Sequence, residues 1–269
     1  MLRTILLSGV LNKINSSPVI LLRMSKWVLN RKRNDEATLR LFCCPYAGGG
    51  SDIFHSWSVG LPSEIEVCPL QLPGRGGRLL ESPYRRLLEL VEVLAHELQP
   101  YLKKPFALFG HSMGAAISFE LARRLRDEYG IEPAHLFVSG FRAPQLPRRE
   151  KPSFDLPQAE FLDKLHSLGG SAKELLDNPR FIRLMLPAVR ADFEMIQTYT
   201  YSPQPPLTCP ITALGGVDDH IVKHEELAAW REQTTGTFTL RHLPGNHFFL
   251  HTAQDRLLEI LADELNVSR

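Results

Sequence analysis

From Thr38 onward, short, mostly apolar runs rich in β-formers alternate with longer stretches in which apolar residues recur every three and four positions. The short runs are Arg40 to Cys44, Ile65 to Leu70, Phe106 to Phe109, His135 to Ser139, Ile211 to Leu214 and Phe238 to His242. Their length and near-continuous apolarity predict strands covered on both faces. The longer stretches, Tyr84 to Tyr101, Met113 to Tyr129, His224 to Thr234 and Gln254 to Leu265, predict amphipathic helices. Strands and helices in alternation imply an α/β class, with a mostly parallel central sheet and helices on both faces.

Between Phe141 and Thr208 the alternation stops. No strand pattern appears there, several short helical patterns do, and prolines crowd both ends: Pro144, Pro147, Pro152 and Pro157, then Pro203, Pro205 and Pro206. This stretch predicts an inserted helical lid over about 143–206, placed at the C-terminal edge of the sheet where open α/β folds bind ligands.

Composition adds one bound. At 43% hydrophobic and 23% charged, with 18 Gly and 20 Pro in 269 residues, the chain is an ordinary globular sequence, not collagen, coiled coil or low-complexity disorder. One large domain with an insertion, residues 37–269, accounts for this length. The four cysteines, Cys43, Cys44, Cys68 and Cys209, lie in apolar runs without the spacing of a zinc site or a disulfide scaffold. They read as buried free thiols of a protein in the reducing cytoplasm.

Charge is unevenly placed. Arg3, Lys13, Arg23, Lys26, Arg31, Lys32 and Arg33 precede the first acid, so the net charge of +1 conceals a net acidic body. An acidic body excludes a nucleic-acid surface, which requires clustered cations on the folded face. The basic front has two apolar stretches, Thr4 to Leu11 and Val19 to Leu22, split by polar residues. Neither forms a secretory core with a cleavage site, and neither can span a bilayer. A targeting peptide, a disordered arm and an upstream start before Met24 all fit it, and residues 1–36 are expected to lie outside the fold.

The chemistry concentrates at Gly110-His111-Ser112-Met113-Gly114, which follows the apolar run ending at Phe109 and opens a helix. Gly-x-Ser-x-Gly alone arises by chance in roughly one chain of this length in ten. The strand before it and the helix after it are what make it a nucleophile elbow, a sharp turn that presents a serine from a strained backbone. A serine hydroxyl needs a base, and the base needs an acid, in the chain order Ser, Asp, His. The strand ending at Leu214 runs into Gly215-Gly-Val-Asp218-Asp219, which puts a carboxylate at its tip. Asp218 is the expected acid because it follows Gly-Gly-Val directly, with Asp219 as the solvated alternative. His247, in the Pro-Gly-Asn turn between the last strand and the last helix, is the expected base, and His242 in the preceding strand is its rival. His55, His96, His111, His135, His166, His220, His224 and His251 read as packed or solvated imidazoles. Oxyanion stabilisation in this arrangement uses the amide after the nucleophile, Met113, and one from the glycine-rich loop Pro45 to Ser51, with Ala47 the favoured donor. That loop lacks the lysine of a phosphate loop and the spacing of a dinucleotide loop.

Four segments together resemble a known family: Leu41-Phe-Cys-Cys-Pro-Tyr-Ala-Gly-Gly-Gly50, Gln71-Leu-Pro-Gly-Arg-Gly-Gly-Arg78, Phe109-Gly-His-Ser-Met-Gly114 and Leu243-Pro-Gly-Asn-His-Phe-Phe-Leu250. They are similar to the stand-alone type II thioesterases of polyketide and nonribosomal peptide synthesis, relatives of the vertebrate medium-chain fatty acyl thioesterase. The Leu-Pro-Gly-Arg segment is the most discriminating, and Arg190-Ala-Asp-Phe193 in the lid also looks familial. Tyr46 and Asn246 depart from the usual pattern, which has His and Gly there. The resemblance implies the α/β-hydrolase fold, Ser112 as nucleophile, Asp218 as acid, His247 as base, and the Ala47 and Met113 amides as oxyanion donors. It also implies a substrate carried as a thioester on the phosphopantetheine of an acyl or peptidyl carrier protein met in trans, and acyl-CoA as a poorer surrogate. No cofactor of the enzyme's own and no metal are expected, nor a nucleic-acid or membrane partner, and a monomer is expected. The apolar lid residues Phe161, Leu165, Leu168, Leu184, Met185, Leu186, Phe193, Met195 and Ile196 would roof the acyl chamber or pack the lid helices. Two other readings stay open: an ester hydrolase or acyltransferase with the same triad, and a non-catalytic carrier-binding module.

Overall fold

The computed structural model describes residues 26–29, 34–149, 151–169 and 179–266. Its sheet contains β1 (Leu39–Cys44), β2 (Ile65–Pro69), β3 (Phe106–His111), β4 (His135–Ser139), β5 (Ile211–Gly216) and β6 (Phe238–Leu243). They lie in the order β2-β1-β3-β4-β5-β6, every pair parallel. The helices are α1 (Trp57–Gly60), α2 (Leu87–Leu98), α3 (Met113–Tyr129), α4 (Gln158–Leu168), α5 (Pro179–Thr198), α6 (His224–Ala228), α7 (Phe249–Thr252) and α8 (Gln254–Glu264). Among the described residues no helix is long and apolar enough to cross a membrane.

Alternation along each strand divides the core into two layers. Phe42, Cys44, Leu108, Leu136 and Val138 face the layer built with α2, α3 and Trp230. Leu41, Cys43, Ala107, Phe109 and Phe137 face the layer built with Trp57, Phe249 and α8. Burial on both faces explains why β1 to β5 read as near-continuous apolar runs, whereas the edge strand β6, Phe-Thr-Leu-Arg-His-Leu, is only partly buried. The three cysteines of β1 and β2 are buried in these layers, and Cys209 is buried just before β5. All are free thiols, and burial pushes Cys44 and Cys209 up to about 12.

The chain begins the sheet at β1, adds β2 on one side and then returns to place β3 on the other. The chain therefore turns to one side of the sheet after β1 and to the other after β3, and it is at the C-terminal strand ends beside such a reversal that open α/β sheets bind ligands.

Residues 26–29 belong to the fold, which moves the expected boundary at residue 36. Val28 bridges Leu70 antiparallel, the Leu29 amide donates to the Pro69 carbonyl (3.0 Å), and the Gln71 amide donates to the Trp27 carbonyl (2.8 Å). Trp27 is 3% exposed, with the Arg78 guanidinium 3.8 Å above its ring. The rest of the basic front, residues 1–25 and 30–33, lies outside the described residues.

The insertion falls between β4 and β5 and contributes α4 and α5. They pack through Phe161 and Phe193, ring centroids 5.2 Å apart, with Arg190 over the Phe161 ring. The expected lid residues do not form one face: Phe161 and Met195 are fully buried, whereas Leu184 is 57% exposed. Beyond α5 the lid returns to α3 through buried charges. Arg123 donates to Glu120 (2.6 Å), to the Ser202 carbonyl (2.5 Å) and to Gln204 (2.8 Å), and the Tyr199 hydroxyl donates to Glu120.

Candidate active site

Ser112 stands between β3 and α3 at φ 53° and ψ −118°, a conformation that L-residues avoid. Its amide donates to the Ser139 carbonyl at the end of β4 (2.7 Å), which pins the turn to the sheet. The flanking glycines are steric requirements. A Cβ on Gly110 would lie 2.0 Å from the Gly114 carbonyl oxygen, and one on Gly114 would lie 2.2 Å from that of Cys44. The elbow therefore closes only without side chains at both positions, and α3 starts against the loop that leaves β1. Ser112 is half-buried, and its hydroxyl makes no hydrogen bond among the described residues.

That second contact sets the start of α3, which carries Met113, against the loop after β1, which carries Ala47. Cys44 and Gly110 are paired across β1 and β3, and Ala47 and Met113 each lie three residues beyond them. Among the described residues neither amide donates in a turn, loop or cap hydrogen bond.

His247 is 5% exposed, in the turn after β6. The turn is held against the end of β5: a Cβ on Gly216 would meet the Gly245 and Asn246 carbonyl oxygens at 2.4 Å. Its Nδ1 is 2.8 Å from Asp219 Oδ2. The expected pairing with Asp218 is thus corrected. Asp218 is exposed and contributes only its amide, which donates to the Gly245 carbonyl (3.0 Å) and so braces the histidine turn. Consecutive residues of a tight turn project to different sides, and it is Asp219 that projects inward. Its Oδ1 accepts from the Ile221 amide (2.8 Å) and the Val222 amide (3.2 Å). Burial pushes this carboxyl up, but the His247 hydrogen bond and charge, with the two amides, outweigh it and hold the group below the usual carboxylate range. A fixed carboxylate on Nδ1 leaves Nε2 as the nitrogen free to accept a proton.

The other histidines fall away from this role. His242 stacks on His224 with ring centroids 5.0 Å apart, whereas the acid's partner is His247, so His242 is no rival to it. His111 is fully buried beside His247, ring centroids 5.1 Å apart, with Nδ1 2.8 Å from the Ser139 hydroxyl. Burial first, then the neighbouring His247 and His251, keep its pKa well below the usual imidazole value. A neutral ring there places no competing charge next to the base. Tyr46, one of the departures from the resembled pattern, packs edge-on against His111 and Phe248, and its hydroxyl is 3.1 Å from His251 Nε2.

Asp192 and Arg75 had no role assignable from sequence, although both lie in segments singled out there. They form a buried two-pronged ion pair, Nη1 to Oδ2 and Nη2 to Oδ1, each 2.7 Å. Asp192 Oδ2 also accepts from the Gly48 amide in the loop after β1 (2.8 Å). Among the described residues no group of three or more His, Cys, Asp or Glu side chains is placed to hold a metal ion.

The chain is similar to known proteins over most of its length. Residues 39–265 match the family model described as "Thioesterase domain". The gramicidin S biosynthesis protein GrsT of Aneurinibacillus migulanus is 45% identical over 245 residues, 91% of this chain and 96% of that protein. The human medium-chain S-acyl fatty acid synthase thioesterase is 34% identical over 237 residues, 84% of this chain and 87% of that one. Among solved structures, the RedJ thioesterase from the prodiginine biosynthetic pathway in Streptomyces coelicolor has a TM-score of 0.81 and 42% identity, covering 86% of this chain and 92% of that chain.

Proposed function

Since the chain belongs to the thioesterase domain family, we propose that it hydrolyses acyl thioesters on the phosphopantetheine arm of acyl or peptidyl carrier proteins, editing or releasing stalled acyl groups for a polyketide or nonribosomal peptide synthase. The observation that carries the reading is the strained Ser112 on the same sheet edge as a buried His247 and Asp219 pair. Relatives named for gramicidin S and prodiginine biosynthesis support the synthase setting.

In this mechanism His247 Nε2 takes the Ser112 proton as Oγ attacks the thioester carbonyl carbon. The resulting oxyanion accepts hydrogen bonds from the Ala47 and Met113 amides, and Asp219 stabilises the imidazolium. The C–S bond then breaks. A thiol of pKa near ~8.5 is a good leaving group, so proton donation to sulfur matters less than it would for an amine. Once its proton has passed to the departing thiolate, His247 is neutral again and deprotonates a water that attacks the acyl-serine, then returns that proton to Ser112 Oγ as the acyl–oxygen bond breaks and the free acid leaves. The pantetheine arm belongs to the substrate, and the enzyme needs no cofactor of its own. It acts as a cytoplasmic monomer meeting its carrier in trans, with acyl-CoA as a poorer substrate.

The test is thiol release from acetyl, hexanoyl and decanoyl groups on a carrier protein and on CoA, alongside matched oxygen esters. Ser112→Ala should lower turnover by at least about 10³-fold, with the carrier thioester the preferred substrate of the wild type. Faster cleavage of oxygen esters than of thioesters would replace this reading with an ester hydrolase, and no Ser112-dependent release from any of them would refute catalysis at this site.

A further inference from the structure

The Arg75 and Asp192 pair is not accounted for by the chemistry above or by packing. Its side chains are 2% and 1% exposed. Burying two charges is unfavourable, and apolar residues of similar volume would fill the space as well or better. What distinguishes the pair is its other contacts. Asp192 Oδ2 accepts from the Gly48 amide as well as from Arg75. Arg75 Nη1 also donates to the Gly49 carbonyl (3.2 Å), and its Nε to the Pro73 carbonyl (3.3 Å). The pair therefore grips both residues that follow Ala47, from helix α5 on one side and the Leu-Pro-Gly-Arg segment on the other.

The consequence for Ala47 comes from peptide planarity. The Gly49 amide donates to the Tyr46 carbonyl (2.9 Å). That carbonyl and the Ala47 N–H belong to one rigid peptide plane and point in opposite directions. Holding Gly48 and Gly49 thus sets the direction of the Ala47 N–H. Gly48 itself sits at φ +78°, with Val189 of α5 3.2 Å from where its Cβ would be. The lid helix consequently touches the loop through both an apolar contact and a hydrogen-bonded carboxylate.

We propose that Asp192, clamped by Arg75, is a positioning residue that aims the Ala47 amide at the oxyanion, so that turnover depends on α5 being seated over the loop. This rests on the reading of Ala47 as an oxyanion donor. A donor that acts on the tetrahedral intermediate and not on the ground-state carbonyl changes kcat more than KM.

The experiment uses the full chain, hexanoyl-carrier as substrate, and two inhibitors. One is a trifluoromethyl ketone analogue that Ser112 converts to an oxyanion, and the other is a non-hydrolysable thioether that mimics the ground state. Asp192→Asn should lower kcat by roughly 10- to 100-fold with KM within about threefold. Affinity for the ketone should fall in parallel and that for the thioether should hold. Arg75→Lys, which keeps the charge but loses the fork, should lie between it and wild type. The double variant Arg75→Met with Asp192→Leu removes both charges while keeping volume, so a loss of kcat in a variant that melts no lower than wild type separates positioning from stability. A folded Asp192→Asn or double variant with kcat within threefold of wild type would overturn the proposal, as would equal losses in affinity for both inhibitors. If wild type releases no thiol, or Ser112→Ala releases it equally well, the underlying site reading fails instead.

Discussion

Replacing Asp219 with asparagine tests the corrected triad at one atom. The two carboxylate oxygens are not equivalent: Oδ1 accepts from the Ile221 and Val222 amides, and Oδ2 faces His247 Nδ1 at 2.8 Å. An asparagine in this pocket must keep its carbonyl oxygen on the two amides, because its NH2 cannot accept. The NH2 then faces Nδ1, which must become the acceptor, and the ring proton moves to Nε2. Protonated there, His247 cannot take the Ser112 proton. This wrong-tautomer effect costs triad enzymes about 10⁴-fold in kcat. A thiol leaving group relaxes the acid half of the cycle but not the base half, so about 10³-fold is expected here, or roughly 4 kcal/mol of barrier. Asp218→Asn, which alters an exposed side chain and leaves its bracing amide in place, should stay within threefold. The assay is colorimetric thiol release from a saturating acyl-carrier substrate at pH 7.5, on both variants, with far-ultraviolet circular dichroism as the control for folding. A loss under tenfold in folded Asp219→Asn, or a greater loss in Asp218→Asn, would refute the assignment.

Two further outcomes follow from packing and burial. Gly114→Ala should destabilise the fold by more than ~3 kcal/mol, because its Cβ would lie 2.2 Å from one backbone oxygen and 2.8 Å from another. Gly130→Ala, at φ +67° with nothing within 4 Å of its Cβ, should lose only ~1–2 kcal/mol, and comparable urea midpoints for the two would contradict the clash argument. His135 is buried against Phe137 and 2.8 Å from the Thr212 hydroxyl, and burial drives its pKa down to about 4. The unfolded chain therefore binds the extra proton first as pH falls through about 6.5, and stability drops by up to ~3 kcal/mol by about pH 4. His135→Gln should flatten that part of the urea-derived stability profile, and an unchanged slope would show that the ring does not carry it.

Five strands were legible because burial on both faces leaves a simple trace, a near-continuous apolar run; the edge strand β6 is only partly buried and mixes apolar with polar residues, yet it too formed where expected. The ends were less so. β3 continues two residues past Phe109, since Gly110 and His111 keep pairing with Cys44, Val138 and Ser139 even though a glycine reads as a break. The helix expected from Tyr84 starts only at Leu87, and the one expected through Thr234 tightens to a 3-10 turn after Ala228. Attachment of residues 26–29 was hidden for a different reason. It depends on one bridge to Leu70 and on Arg78 covering Trp27, both partners distant in sequence, in a segment whose charge resembles a detached arm.

At the site, what could be read was whatever depends on local backbone. Ser112 and the glycines around it announce a strained turn, and His247 follows from its place between a strand and a helix. Asp219 shows where that reasoning needs one more step. Distance from the strand tip favours Asp218, but a turn that feeds a short helix also has backbone amides to satisfy, and Asp is a residue that serves them from two or three positions upstream. Asp219 precedes Ile221 and Val222 by two and three residues. Counting those amides would have selected it, and the same bonds are what fix the carboxylate for His247. Asp192 offers no comparable local signal. Its partners, Gly48 and Arg75, lie more than a hundred residues away, and a carboxylate amid apolar lid positions reads as a solvated face until the fold closes over it. A side chain whose role is to hold another segment is visible only when both segments are.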